Sequence, residues 1–529
     1  MRPLQVLLLF ALFPGFAASA SAQSPVGEVA FANSGSTAAQ EPFLRGLALL
    51  HNFEYSDAAE QFRKAQAIDP GFAMAWWGEA MTFTHPVWFQ QDAEAARAVL
   101  ARLGATPEAR LAKAKTERER DYLRAVEVLY GSGTKEERDF RYSDAMAALH
   151  QRYPDDVDAT AFYALSLLGT AHHGRDFATY MRSAALLEEV FPTHPHHPGV
   201  LHYLIHSYDD PIHAPLGVRA ARLYGSVAPN AGHALHMTSH IFVALGLWDE
   251  VIAANRQAMS VVDRHRAEKG QGPKACGHYV TWLHYAYLQE RRLDEARQQL
   301  DACRQMALDI LGHGGKPLPE DGSYLNDYAE MRVFHALETG QWNAADPFTV
   351  PQGPYAAGPR FTQSYGEALV AAGGGDLAAF HAAAARLRER QKDVLADIEQ
   401  KKETDPSNRQ RAEIAVRQIE ALELIREGKK DEGIARLTKE AAAEGTMALE
   451  FGPPFIEKPT FELLGDELLA LGRHAEAEQA YQTALARAPG RTRSLQGLLR
   501  AEQALGHTEA AERTQATLQR YVRKEQPAR

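Results

Sequence analysis

The sequence predicts an all-α protein built as an array of helix–turn–helix repeats, and three observations carry that expectation. From about residue 41 nearly to the end, apolar residues recur with helical spacing. No run of alternating β-branched residues is long enough for a sheet. Small and aromatic residues return at the same offsets in two distant stretches: Gly46, Ala58, Phe62, Ala65 and Pro70 near the start, and Gly465, Ala477, Tyr481, Ala484 and Pro489 near the end. The 529 residues are 45% hydrophobic and 24% charged, which excludes a collagen, a mucin-like stalk or a disordered chain. A net charge of −11 gives no electrostatic footprint for nucleic acid or anionic lipid.

Taken in order, the chain opens with Arg2, an apolar stretch from Leu7 to Ala18, and Ala20-Ser21-Ala22, which read as a Sec signal (residues 1–22) cleaved after Ala22. That stretch is too short to span a bilayer, and no later one is long enough, so a periplasmic or secreted protein without a membrane anchor is expected. Residues 23–40 are small and polar and read as a linker. In the first repeat, small residues at Gly46, Ala58 and Ala65 let two helices approach, Phe62 fills the contact, and Pro70 ends the second helix. More degenerate turns fall at Leu245–Glu250, Arg291–Ala296 and Gly340–Trp342 with Ala345. Loops are expected at Gly270–Lys274, Gly312–Gly322, Thr349–Pro359 and Lys401–Asn408. This divides the chain into N-terminal repeats, residues 41–345, and C-terminal repeats, residues 361–529. Cys276 and Cys303 are too few for a disulfide scaffold or a thiolate zinc domain, and spacing alone leaves a bridge between them open.

Histidine is the unusual component: 22 in all, with a concentration between His172 and His240. His202 and His206 are spaced i, i+4, as are His236 and His240, so each pair shares one helix face. The second pair follows the first by 34 residues, the length of one repeat.

The offsets in Arg45–Pro70 and Gly465–Pro489 resemble those of the tetratricopeptide repeat (TPR) superfamily. That resemblance implies a right-handed α-solenoid whose first helices line a concave groove taking a protein, peptide or small-molecule ligand. Matched to the family's groove positions are His202, His206, Asp209, Asp210, His233, His236 and His240, together with His85, Trp77, Met81 and His278. By a looser count His172 and His173 join them, and Glu462, Asp327 and Glu330 fall there too. The stretches HSYDDP (His206–Pro211) and HALHMTSHIF (His233–Phe242) resemble those of a family of exported bacterial TPR proteins without an established activity. Where that family is expected to carry Asp, this chain has Thr281.

So many histidines in groove register point to a transition metal held by His202, His206, His236, His240 and His233, in a site open to solvent along the groove. An all-imidazole set favours Zn or Cu ahead of Fe. Asp209 and Asp210 serve as oxygen ligands or orient a histidine, or else simply form a turn between helices. Tyr203 and Met237 follow the first histidine of each pair, where a metalloprotease would carry Glu. Gly373-Gly374-Gly375 lacks a following Lys, so no nucleotide cofactor is expected. His194, His196 and His197 read as a Pro-rich loop, and His51, His150, His474 and His507 as surface or packing residues. Three functions fit: a binding scaffold with a metal in its groove, a Zn or Cu hydrolase or oxidase holding one or two ions, and a metal-free groove whose histidines respond to pH.

Overall fold

The computed structural model describes residues 25–312, 324–340, 350 and 356–521. The expected signal segment and the expected Gln341–Ala345 turn lie outside the described residues, as do most of the loops expected at Gly312–Gly322 and Thr349–Pro359. Among the described residues are twenty-four α-helices, nearly all packed on the next in sequence, and the β structure is one antiparallel pair, Thr84–His85 with Gln90–Gln91. The protein is an all-α helical-repeat solenoid. No helix among the described residues is long and apolar enough to cross a membrane.

The repeat device is visible at both ends. A Cβ on Gly46 would lie 3.1 Å from the Phe62 ring and one on Gly78 only 2.3 Å from it, so glycine gaps on two neighbouring helices grip one fully buried phenylalanine. Gly465 and Gly497 do the same for Tyr481, at 2.8 and 2.2 Å. Truncating such a ring to Ala costs about 3–5 kcal/mol. The aromatic residue therefore locks each helical pair to the next one.

The expected linker differs from that reading. Its segment is helical from Thr37 and is packed before that point: Phe31 is buried, with its ring 5.9 Å from Trp77. The Arg118 guanidinium lies 4.0 Å over Phe31 and donates to the Ala32 carbonyl at 2.6 Å. A small, polar composition hides the one large apolar residue that pins the segment down.

Both ends of the array return to its middle. The Thr37–His51 helix packs on the Pro198–Tyr208 helix as well as on its own partner. From the other side, Trp248 donates to the Gly490 carbonyl at 3.0 Å. The buried Arg491 reaches Glu462 at 2.6 Å, Tyr285 Oη at 2.9 Å and Glu338 at 3.1 Å. Cys276 and Cys303 form a disulfide that ties the approach to the His278–Gln289 helix to the Leu293–Gly312 helix.

Candidate metal centre

Two helices present the five histidines expected to hold the metal, and the His278–Gln289 helix adds His278. The Pro198–Tyr208 helix starts where His197 caps it, accepting from Val200 N at 3.3 Å, with Pro198 at its first position. The Gly232–Ala244 helix is buried along its whole length, and its His233 N–H donates to Glu54 Oε1 at 2.9 Å. Gly199 allows the first of these to approach the first repeat, since a Cβ there would lie 2.3 Å from His51 Nδ1.

The imidazoles assemble into two trios. Ring nitrogens of His202, His206 and His233 lie within 4.8 Å of one another, and so do those of His236, His240 and His278. Ring centroids are 4.9 Å apart for His202 and His206, 5.1 Å for His202 and His233, 5.2 Å for His236 and His240, and 4.6 Å for His236 and His278. The trios meet where His206 faces His240 at 5.5 Å, with Asp209 between them.

Hydrogen bonds to Nδ1 assign the tautomers. His202 Nδ1 is 2.7 Å from the His51 carbonyl oxygen, which can only accept. His236 Nδ1 is 2.6 Å from Asn255 Oδ1, whose amide nitrogen donates to Val251 O and so fixes which end faces the ring. His240 and His206 Nδ1 lie 2.9 and 3.4 Å from one carboxylate oxygen of Asp209. In His202, His236 and His240 the proton therefore sits on Nδ1 and the lone pair on Nε2, and His206 turns its Nδ1 toward the same carboxylate. His233 Nδ1 pairs with Tyr279 Oη at 3.1 Å. Nε2 of each of these five histidines is buried without a hydrogen-bond partner.

Electrostatics favour the neutral ring in His202, His233, His236 and His240. Burial, reinforced by neighbouring histidines, holds His202, His233 and His236 well below the usual 6.5. Burial lowers His240 to about 4 against the opposing pull of Asp209. For Asp209 itself burial favours the neutral acid, but the Arg175 guanidinium and the two histidine bonds outweigh it and hold the carboxyl far below the carboxylate range. Asp210 does different work: it accepts from Ile212 N and His213 N at 2.9 and 3.1 Å and from His213 Nδ1 at 2.8 Å, which closes the turn into the next helix. The two adjacent aspartates thus divide the two roles expected of them.

Aromatic side chains wall the centre. Phe53 covers His202 at 4.2 Å and adopts a left-handed backbone, φ 57°, a conformation that costs a non-glycine residue about 1 kcal/mol or more. Trp282 lies 4.5 Å from His240, and Phe451, from the C-terminal repeats, lies 4.9 Å from it. The Phe451 loop can come this close because Gly452, at φ 97°, has no Cβ; one would lie 2.4 Å from Trp282. His278 is the exposed member of the trios.

Two expectations are corrected here. The histidines do not line a solvent-open groove, because the first repeat and the Phe451 loop cover them, and the five named for the metal are buried. Trp77 is not a groove residue but fully buried core, packed against Phe31, Tyr122 and Phe162, since the 25–36 segment fills the space an open superhelix would leave. His85 stacks on Tyr55 at 4.0 Å outside the trios. His172 and His173 face Asp139 and Glu136, at 2.9 and 3.1 Å, away from the centre. Glu462 is committed to Lys458 and Arg491. His51 and His197 share the buried carboxylate of Asp158, at 2.9 and 3.3 Å, and both His51 nitrogens are engaged. Phe53, Arg175 and Asn255 carry no signal in the sequence, whereas the Pro-rich loop Glu450–Pro454 marks Phe451 as a candidate.

Residues 459–491 match the tetratricopeptide repeat family. No curated protein matches the chain. Among solved structures, the P58(IPK) TPR domain is 12% identical and aligns over 89% of this chain and 99% of that one, with a TM-score of 0.22. Yeast Tom70 is 11% identical over 90% and 99%, with a TM-score of 0.33. The APC/C hetero-tetramer Cut9–Hcn1 is 12% identical over 89% and 78%, with a TM-score of 0.35. Likeness at this level assigns neither activity nor partner.

Proposed function

We propose that this chain is an exported helical-repeat scaffold whose buried histidine cluster holds a transition metal, and whose repeat surface takes a protein, peptide or small-molecule ligand. One observation carries the metal reading: five buried imidazoles have Nδ1 engaged and Nε2 without a partner. Each orphaned buried nitrogen costs about 1–3 kcal/mol, which a purely structural core has no reason to accumulate in one place. A metal ion takes up those lone pairs, and ligand histidines characteristically donate their other nitrogen to a carboxylate or carbonyl, as here. Imidazole ligands without thiolate suit Zn or Cu. The Sec-like segment and the Cys276–Cys303 bridge support export to an oxidising compartment.

Elemental analysis of the untagged mature protein, beside a variant with His202, His206, His236 and His240 all changed to Ala, tests this. Stoichiometric Zn or Cu in the first and none in a folded second supports the reading. Protein that is metal-free and takes up neither ion would sink it. Sequencing the mature N-terminus tests export, with Gln23 as the expected first residue.

The exposure of His278 favours a second reading, a metalloenzyme, because it leaves one edge of the centre within reach of water or substrate. Hydrolysis assays on the zinc form and oxidation assays on the copper form test it; inactivity in both with metal retained leaves the scaffold reading.

A further inference from the structure

We infer that the centre is dinuclear: His202, His206 and His233 hold one copper ion, His236, His240 and His278 hold a second beside it, and Asp209 orients one ligand of each. This rests on the metal reading above and goes beyond it in number, partition and identity of the ions.

The partition follows from the grouping. The four histidines in repeat register do not form one four-ligand shell. Instead His202 and His206 close with His233, while His236 and His240 close with His278, which comes from a third helix. Each trio is complete without borrowing from the other. A single ion placed in either trio leaves partnerless Nε2 atoms in the other, on His236 and His240 or on His202, His206 and His233. Two ions satisfy all of them. The trios meet at the His206–His240 face, at 5.5 Å between centroids, and again where His233 and His236 lie 6.2 Å apart; at the first, one carboxylate oxygen of Asp209 accepts from His240 and lies 3.4 Å from His206 Nδ1. That shared acceptor ties the orientation of the two sites together.

The choice of copper follows from charge. Imidazole coordinates as a neutral ligand, and the carboxylate facing the rings, Asp209, is already paired with the Arg175 side chain, itself buried. Two divalent ions would bring four positive charges into an aromatic-walled pocket with no anionic ligand to offset them, and burying uncompensated charge is costly. Two Cu(I) ions bring half that charge. Cu(I) also accepts three neutral imidazoles as a complete shell, whereas zinc fills a fourth position.

The test is anaerobic Cu(I) competition against a chromophoric chelator, using the full mature chain and the variants His278→Ala and His202→Ala, with circular dichroism to verify folding. The expected result is two tightly held equivalents in the parent and one in each variant. Because His278 is exposed, its variant keeps the test open even where His202→Ala fails to fold. After oxidation to Cu(II), adjacency predicts an electron paramagnetic resonance intensity well below that of two isolated ions. A single equivalent in the parent, lost by both variants alike, overturns the pair and leaves a mononuclear metal protein. Two equivalents with full, uncoupled intensity overturn their adjacency. Two of zinc with no retention of Cu(I) overturns the choice of copper. Failure to bind either metal removes the metal reading as well.

Discussion

Asn255 Oδ1 sits 2.6 Å from His236 Nδ1, and its amide nitrogen is held by the Val251 carbonyl at 2.9 Å, so a residue on the following helix decides which imidazole nitrogen faces the centre. Asn255→Leu keeps the volume and removes the acceptor. Metal affinity is expected to fall about 10- to 100-fold, the usual effect of removing such a partner, with helical content unchanged. Metal competition beside circular dichroism checks this, and unchanged affinity would show that Asn255 is packing alone.

Asp209→Asn tests the carboxylate that joins the two trios. The variant leaves Arg175, also buried, facing a neutral amide, and breaking a buried pair costs about 3–5 kcal/mol. Thermal unfolding of metal-free protein is expected to show that loss, and Arg175→Met in the same background to recover part of it.

Acid should destabilise the metal-free protein. His51 and His240 are each lowered from 6.5 to about 4, by burial above all, so between pH 6.5 and 4 the unfolded chain binds protons that the folded one refuses. His202, His233 and His236 act in the same direction. Their contribution is fully present above pH 6.5 and is lost as pH falls toward 4. Glu54 and Glu290, which burial raises to about 7, oppose this, since they favour the folded state more as pH falls from 7 to 4.5. Glu330, which burial raises to about 8, and Glu338, Glu444, Glu450 and Glu502, raised in the same way, act with the glutamates, while His278, lowered to about 3, His335, lowered to about 4, and His284 join the histidines, which are the larger group, so the midpoint temperature in chelator is expected to drop across this window; a flat profile would contradict the buried, neutral state of the rings.

Reduction of the disulfide should act on stability and on one trio. Cys276 and Cys303 are 27 residues apart in sequence, and closing a loop of that length stabilises by about 3–4 kcal/mol on the chain-entropy account. His278 follows Cys276 by two residues. The Cys276→Ala, Cys303→Ala protein is therefore expected to unfold at lower temperature and to hold metal more weakly, with the loss abolished in the His278→Ala background.

Arg491→Met removes the cation shared by Glu462, Glu338 and Tyr285. Glu462 keeps Lys458, whereas the buried Glu338 loses the cation 3.1 Å from it, at a cost of about 3–5 kcal/mol. Limited proteolysis should release the C-terminal repeats more readily in this variant than in the parent.

What the sequence disclosed was local or periodic. Gly46 against Phe62 and Gly465 against Tyr481 are neighbours within one helical pair, so their spacing is their geometry. The His202–His206 and His236–His240 register likewise follows from helix pitch and repeat length, and the histidines lie together as that register implies. What stayed hidden depends on how the array curls. Asn255 and Arg175 are ordinary polar residues until a ring is placed beside them, and Phe53 becomes a wall only when the first repeat meets the Pro198–Tyr208 helix. Trp77 was misplaced because groove positions presume an open superhelix, and here Phe31 occupies that space. Burial of the histidines had no periodic signature, since their cover comes from both ends of the chain.

That closure sets a timetable. His202 is anchored to a carbonyl 151 residues earlier, His233 to a carboxylate 179 residues earlier, and Tyr285 to a guanidinium 206 residues later. Pairings this distant in the chain are late events in folding, because loop closure must precede them. The first repeat precedes the histidine helices in the chain, whereas the Phe451 loop comes only with the last repeats. On the proposed reading, an ion then has an interval, between those two arrivals, when the imidazoles are assembled and still uncovered, so that its capture would belong to the order of folding as much as to the finished site.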